Sequence, residues 1–394
     1  MRPTHFNWSF ILIILLSAMT TPAWANTIVV NSTADSGLGS LRDAVVAATS
    51  GDTIRFDASL NMDTIKLTTG EITLNKNILI IGNGETNTII DGQANSRIFY
   101  IPAGATVAIL GVTLQNGNGR GAISSGNGGA VLNGGQTTFT NTTISGNIAN
   151  SGGGVLNSGL NAKATFANTT ISGNTSNLSG GGVSDSFGET TFTNTTISGN
   201  TTNPSGSGVS GFFSEATFTN TIVAKNGPGF RSNINLSGST ITDGGNNLIG
   251  NGTGQTAISD GMNGNIVGTT AVPIDPLFIM DVPTGVGATI GGDLRLQDAS
   301  PAIDAGNNAA LPMDIFDVDG DMDVQETHPI DQQGLARTIN MTVDIGAYEH
   351  QGFIVSPSIP TLGQWGLIIL ALSILTVSLL SLKGSRVAVI RDLP

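Results

Sequence analysis

Cysteine is absent from this 394-residue chain. No disulfide framework and no thiolate metal site can therefore hold it together, and its stability must come from burial and backbone pairing. Charge is scarce as well, at 11% of residues against the roughly 25% of ordinary globular domains. What charge there is runs acidic, with a net of −13, which excludes the basic footprint that nucleic acid or an anionic lipid surface requires. Only one stretch, Leu41 to Ala48, carries a helical pattern, with Ser40 placed to cap it. Histidine is limited to His5, His328 and His350, widely scattered, and no nucleophile elbow is present.

Glycine is abundant instead, with 54 residues, and it falls in a pattern. The nonapeptide Phe139-Thr-Asn-Thr-Thr-Ile-Ser-Gly-Asn147 returns nearly unchanged from Phe166, Phe192 and Phe218, at spacings of 27, 26 and 26 residues. A period this short marks a solenoid. The sixth position holds Ile144, Ile171, Ile197 and Val223, and the third and ninth are always Asn. Glycine clusters followed by Val131, Val155, Val183 and Val209 separate the copies. Each unit thus holds two or three short strands rich in Thr, Phe and Ile, divided by Gly, Asn and Ser turns.

A single such coil cannot bury its apolar side chains. Stacked on equivalent coils about 4.8 Å away, it sets Phe on Phe, Ile on Ile and Asn on Asn. Asparagine ladders and stacked rings are the expected stabilisers, at both Asn positions. A propeller blade needs about 40–45 residues, so the period excludes it, and the Leu frame of leucine-rich repeats is missing. Looser coils precede the clear ones, with Ile109 and Leu114 standing where later copies have Phe and Ile. The expected fold is all-β, a right-handed parallel β-helix over residues 26–245, with the Leu41 helix capping its open end.

The two ends read differently. Arg2, the apolar run Phe10 to Leu16 and Ala23-Trp-Ala25 form the order of a secretory signal over residues 1–25. Trp365 to Leu382 is an uncharged, mostly apolar run followed by Lys383, Arg386 and Arg391, which predicts a transmembrane helix over 365–382 and a basic cytoplasmic tail over 383–394.

Several motifs resemble known families. Thr33 to Ala44 with Gly51-Asp-Thr-Ile54 is similar to the entry segment of secreted bacterial β-helix proteins, and the central repeats resemble the pectate-lyase-like superfamily. Asn246 to Gly250, Asp275 to Phe278, Leu294 to Leu296, Ser300 to Gly306 and Asp344-Ile-Gly-Ala-Tyr-Glu349 resemble the choice-of-anchor Q region, placed at 246–352. After a linker from residue 353, the residues Ile359, Pro360, Thr361, Leu362, Trp365 and Gly366 resemble an IPTL-type sorting tail, although the basic residues behind the span are more spread than in that family. The resemblance implies an exosortase-type membrane protease as partner, anchoring in the inner membrane before processing, and display on the outer surface of a Gram-negative envelope.

Polysaccharide lyases and glycosidases use the same scaffold, so the acids on the repeats matter. Glu189 and Glu215 each stand three residues before a repeat Phe, one coil apart, and are the catalytic candidates, since paired carboxylates about 5–5.5 Å apart suit a retaining glycosidase. The alternative is a solvated ladder in which Lys163 pairs with Glu189. Asp317, Asp319, Asp321, Asp323 and Glu326 form the one dense acidic run, and oxygen ligands of this kind suit a structural calcium ion rather than an EF-hand. The alternative there is a solvated acidic loop. The Asn-x-Thr sequons at Asn141, Asn168 and Asn194 are formal glycosylation acceptors but belong to the stacked repeat, whose fourth copy has Asn220 in the same place. The function expected is that of a non-catalytic, adhesin-like or envelope-matrix protein with surface glycans as ligands; a polysaccharide-degrading enzyme is the rival reading.

Overall fold

A computed structural model describes residues 26–202, 207–227, 233–283 and 290–352. The signal segment, the sorting motif, the 365–382 span and the basic tail lie outside the described residues. Among the described residues no helix is long and apolar enough to cross a membrane. The chain to His350 forms one compact unit, and Gln351 begins a second.

The first unit is a parallel β-helix built on three long sheets. The phenylalanine sheet stacks nine strands from Thr27–Val30 through Gln136–Thr140, Lys163–Ala167, Glu189–Thr193 and Glu215–Thr219 to Thr240–Asp243. The isoleucine sheet, also of nine strands, runs from Asp63–Lys66 through Thr143–Ser145, Thr170–Ser172, Thr196–Ser198 and Ile222–Ala224 to Ile266–Val267. The valine sheet has seven, from Ile72–Thr73 to Ile234–Ser237. A short fourth sheet joins Ile148–Ser151, Thr175–Ser179 and Thr201–Thr202. Pairing continues past residue 245, since Leu248–Ile249 lies on Ile222 and Val223 and then carries Ile266–Val267. The solenoid therefore extends about one coil beyond the boundary expected from composition.

Register follows the repeat. Ile109, Phe139, Phe166, Phe192 and Phe218 pair in line, and the four rings are fully buried. Their centroids are 5.0, 5.1 and 5.0 Å apart, with planes within 18°. That is one rung spacing, so each ring rests on the next and gains dispersion beyond its burial, about 0.5–1.5 kcal/mol per pair. At the glycine corner no side chain fits. A Cβ on Gly129 would lie 1.9 Å from the Gly153 carbonyl oxygen, and one on Gly153 would lie 2.3 Å from that of Gly181.

The two repeated asparagines part company. The ninth-position residues form the interior ladder: Asn147 Nδ2 donates to Asn174 Oδ1, Asn174 to Asn200 and Asn200 to Asn226, each at 2.9 Å. Each Oδ1 also accepts the backbone N–H of the asparagine one coil earlier, at 3.0–3.1 Å. The third-position residues form no such ladder, which corrects the sequence expectation. Asn141, Asn168, Asn194 and Asn220 have φ of 46–49°, the left-handed corner that asparagine tolerates, and the side chains of Asn168 and Asn220 turn to the C-terminal region instead. A shorter ladder lies elsewhere, where Asn133 Nδ2 donates to Asn157 and Asn157 to Asp185.

The ends are closed separately. The helix Leu41–Ala47 starts at Ser40, whose hydroxyl accepts from the Asp43 N–H, and buries Leu41, Ala44 and Val45 against the first coils. Ile258, from the loop before the last strand, enters the same core at the other end. The C-terminal region does not close the stack as its position in the chain suggests. It runs along the flank, because the outer face of the isoleucine sheet turns apolar at Ile222, Ala224 and Leu248, and these pack with Phe278, Leu294, Leu296, Ala302 and Ile345 into a second core.

Asn174→Ala removes one rung of the ladder and leaves the Asn147 side-chain amide and the Asn147 backbone N–H without that partner. The expected loss is about 2–5 kcal/mol of stability, read as a lower urea midpoint at unchanged slope; an unaltered midpoint would refute the ladder's role.

Candidate binding groove

Between the apolar anchor at Ile222 and the earlier coils, the outer face of the isoleucine sheet carries hydroxyls and amides. Thr113, Thr143, Thr170 and Thr196 align in one column, and Gln115, Ser145, Ser172 and Ser198 in the next. The C-terminal region bridges this polar stretch and encloses a groove of about 630 Å³, lined among others by Glu85, Gln115, Thr143, Arg295 and Tyr348. A smaller hollow of about 480 Å³ lies on the other side of Glu85, against Arg55, Asn141, Asp317 and Gln332.

Glu85 is the hub of the clasp. It stands in the corner loop before the strand Thr88–Asp91, where Thr113 Oγ1 donates to its carbonyl at 2.7 Å. Its carboxyl reaches a coil further and receives Thr143 Oγ1 and Gln332 Nε2. Gln332 Nε2 also donates to Thr143 Oγ1, and Gln332 Oε1 accepts from Thr170 Oγ1, both at 2.7 Å. Burial among these neighbours drives the Glu85 carboxyl up to about 7, with nearby Asp331 adding to the rise.

The motif Asp344-Ile-Gly-Ala-Tyr-Glu349 presses its backbone onto the solenoid. The Gly346 N–H donates to the Asn220 carbonyl and the Ala347 N–H to Thr196 Oγ1. A Cβ on Gly346, at φ 110°, would lie 2.8 Å from Ile222 Cδ1 and Thr196 Oγ1, so only glycine fits. Fully buried Arg337 gathers the carbonyls of Ala347 and Gly346 at 3.1 and 2.5 Å. Burial, reinforced by Asp344, lifts Glu349 up to about 8. On the corner, Asn168 Nδ2 donates to the Ile330 carbonyl and lies 2.9 Å from His328 Nδ1. An amide N–H can only donate, so His328 accepts there as the neutral ring, in keeping with its fall to about 4 by burial and by Arg337. Asn220 exchanges two bonds with the Asn307 backbone.

The catalytic candidates lie outside this groove. Lys163, Glu189 and Glu215 do fall in one column of the phenylalanine sheet, and Lys163 pairs with Glu189. Glu189 is half-exposed and Glu215 exposed. Of the acidic run, Asp317, Asp319 and Asp321 bring carboxylate oxygens within 4.8 Å of one another. Asp319 and Glu326 form a second such set with Asp314, a buried residue that sequence reading missed. Asp323 belongs to neither set. The sequons at Asn168 and Asn194 are fully buried, closed to any modifying enzyme in the folded chain.

The fold and the groove define an all-β parallel solenoid with a C-terminal region clasped to its side. Residues 357–374 match the IPTL-CTERM motif. The chain is thus an exported, cell-surface protein, and the motif implies processing by an exosortase-type sorting system. No curated protein matches the chain. Among solved structures it is similar to the crystal structure of pectate lyase Pel9A, at 16% identity and a TM-score of 0.37, over 83% of this chain and 97% of that one.

The raised carboxyls set a pH dependence. Glu85 and Glu349 are held protonated in the fold, so the stability they supply is present below about 4.5 and is lost as pH rises through about 7 and 8. His328 is held neutral, so its share is present above 6.5 and lost as pH falls toward about 4. Melting temperature should therefore fall between about pH 5 and 8, and Glu85→Gln, uncharged throughout, should flatten that fall. An identical slope in the variant would remove Glu85 from the clasp.

Proposed function

We propose that this protein is a non-catalytic, adhesin-like β-helix that holds a glycan in the groove between its isoleucine sheet and its C-terminal region. The observation that carries the reading is the double column of hydroxyl and amide groups along the groove floor, in register at the rung spacing. The threonine hydroxyls are taken up by the clasp, so it is the column of Gln115, Ser145 and Ser172 that offers donors and acceptors to a saccharide chain without a charge requirement. The ionisable groups of the groove are already engaged: Glu85 by Thr143 and Gln332, and Arg295 by Asp293 at 2.5 Å. That supports binding over lyase or hydrolase chemistry, which needs an acid or base free to move a proton. The column of Glu189 and Glu215 sits on a different, open face, and its carboxylates serve solvation and the Lys163 pair.

Calcium belongs to this reading as a structural ion. The oxygens of Asp314, Asp317, Asp319, Asp321 and Glu326 would hold it, tying the long connection before Asp331 to the clasp. Burial together with the charges of Asp321, Asp319 and Asp323 raises the Glu326 carboxyl, a repulsion that a divalent cation would relieve.

Two measurements test the proposal. Incubated with a polysaccharide panel, the full chain should release no new reducing ends, while Gln115→Ala with Ser145→Ala should weaken retention on the polymer that binds it by about tenfold. Steady product formation that disappears in Glu189→Gln or Glu215→Gln would overturn the non-catalytic reading. For the ion, calcium should raise the melting temperature and chelator should reverse the rise; a transition indifferent to both would remove it.

A further inference from the structure

A second feature stands apart from the groove, at the corner where the valine sheet turns into the phenylalanine sheet. Phe187, Phe212 and Phe213 are 44%, 50% and 58% exposed, in a chain whose other repeat phenylalanines are wholly buried. Their rings gather into one cluster. Phe212 and Phe213 lie 4.4 Å apart at 71°, Phe187 and Phe212 5.7 Å apart at 86°, and Phe187 and Phe213 6.0 Å apart at 17°. Two of the three sit in left-handed backbone, Phe187 at φ 63° and Phe213 at φ 48°. Bulky residues seldom adopt that conformation. Glycine or asparagine would serve these turns with less strain, and strain kept at an exposed aromatic is a mark of use.

The cluster also has a polar neighbour. Phe212 pairs in register with Ser237, and the turn that follows abuts Phe213, since a Cβ on Gly238 would lie 3.0 Å from its ring. The residues flanking that turn, Ser237 and Ser239, line a pocket of about 320 Å³ with Asn235, Gln255 and Thr256. The carboxylates of Glu189 and Glu215 stand two residues beyond Phe187 and Phe213.

We propose that this corner is a second carbohydrate site, in which a neutral pyranose chain stacks its C–H faces on Phe187, Phe212 and Phe213 and turns its hydroxyls into the Asn235–Thr256 pocket. Apolar faces joined to hydroxyl-bearing edges are what a pyranose presents, and aromatic rings beside Ser, Thr, Asn and Gln are its complement. A second copy of this chain fits poorly. At a net charge of −13 the copies repel, and three rings fall far short of the roughly 800 Å² per partner of a stable interface. The acidic column also disfavours an anionic polymer or lipid surface.

The proposal goes beyond the groove reading and is separable from it. The full chain would be titrated by calorimetry with cellotetraose, chitotetraose and mannotetraose, and with tetragalacturonate as the anionic comparison. A neutral probe should bind, and Phe187→Asn with Phe213→Asn should weaken it by about tenfold or more. The same variant should melt no lower than the parent, because asparagine accepts left-handed backbone. Binding unaffected by the phenylalanine variant but lost in Gln115→Ala with Ser145→Ala would uphold the groove and overturn this site; the converse would uphold this site alone. Preference for tetragalacturonate, or a dimer that light scattering shows to dissociate in the phenylalanine variant, would also overturn it.

Discussion

Everything in this molecule depends on parallel, in-register pairing between one coil and the next. With register set, like meets like at every rung, and the side-chain chemistry becomes a matter of columns rather than of single residues. The phenylalanine column is a stack at rung spacing, and the inner asparagine column is a continuous amide chain. A column multiplies whatever one position offers. A hydroxyl at one position becomes a binding floor, and a mismatch at one rung costs its neighbours on both sides.

The outer face of the isoleucine sheet shows how small a change redirects this logic. Three copies read Thr-Ile-Ser, and the fourth reads Ile222-Val-Ala224. The swap turns two polar columns apolar, and the C-terminal region buries itself there. Ahead of that point it can only bridge, through Glu85, Gln332 and the corner asparagines, so the groove exists because the anchoring core stops where the threonines begin.

How much of this was legible in the sequence varies by scale. The repeat gave the coil, the Phe and Ile columns, the replacement by Ile109 and Leu114 and the capping helix, because each depends on contacts between equivalent positions. The asparagine at position three was misread as a ladder because composition does not reveal φ. The clasp was illegible for a different reason: Gln332 and Glu85 are 247 residues apart, and nothing in an Asn-Gly-Glu-Thr-Asn loop announces a distant glutamine. The one readable signal is the replacement of Thr-Ile-Ser by Ile222-Val-Ala224, which turns that face apolar. Asp314 was missed because it lies outside the dense acidic run and joins it only through the turn that brings Val318 onto its carboxylate.

The clasp has an architectural consequence of its own. A solenoid by itself is indifferent to length, since one more coil of about 26 residues would stack as well as the last. The C-terminal region is not indifferent. It touches Glu85 near one end and Leu248 near the other, so it spans a set number of rungs like a gauge laid along a screw. Adding or deleting a repeat between those points would leave each coil intact and still put the gauge out of step. The strap thereby makes an extensible scaffold into a molecule of one size.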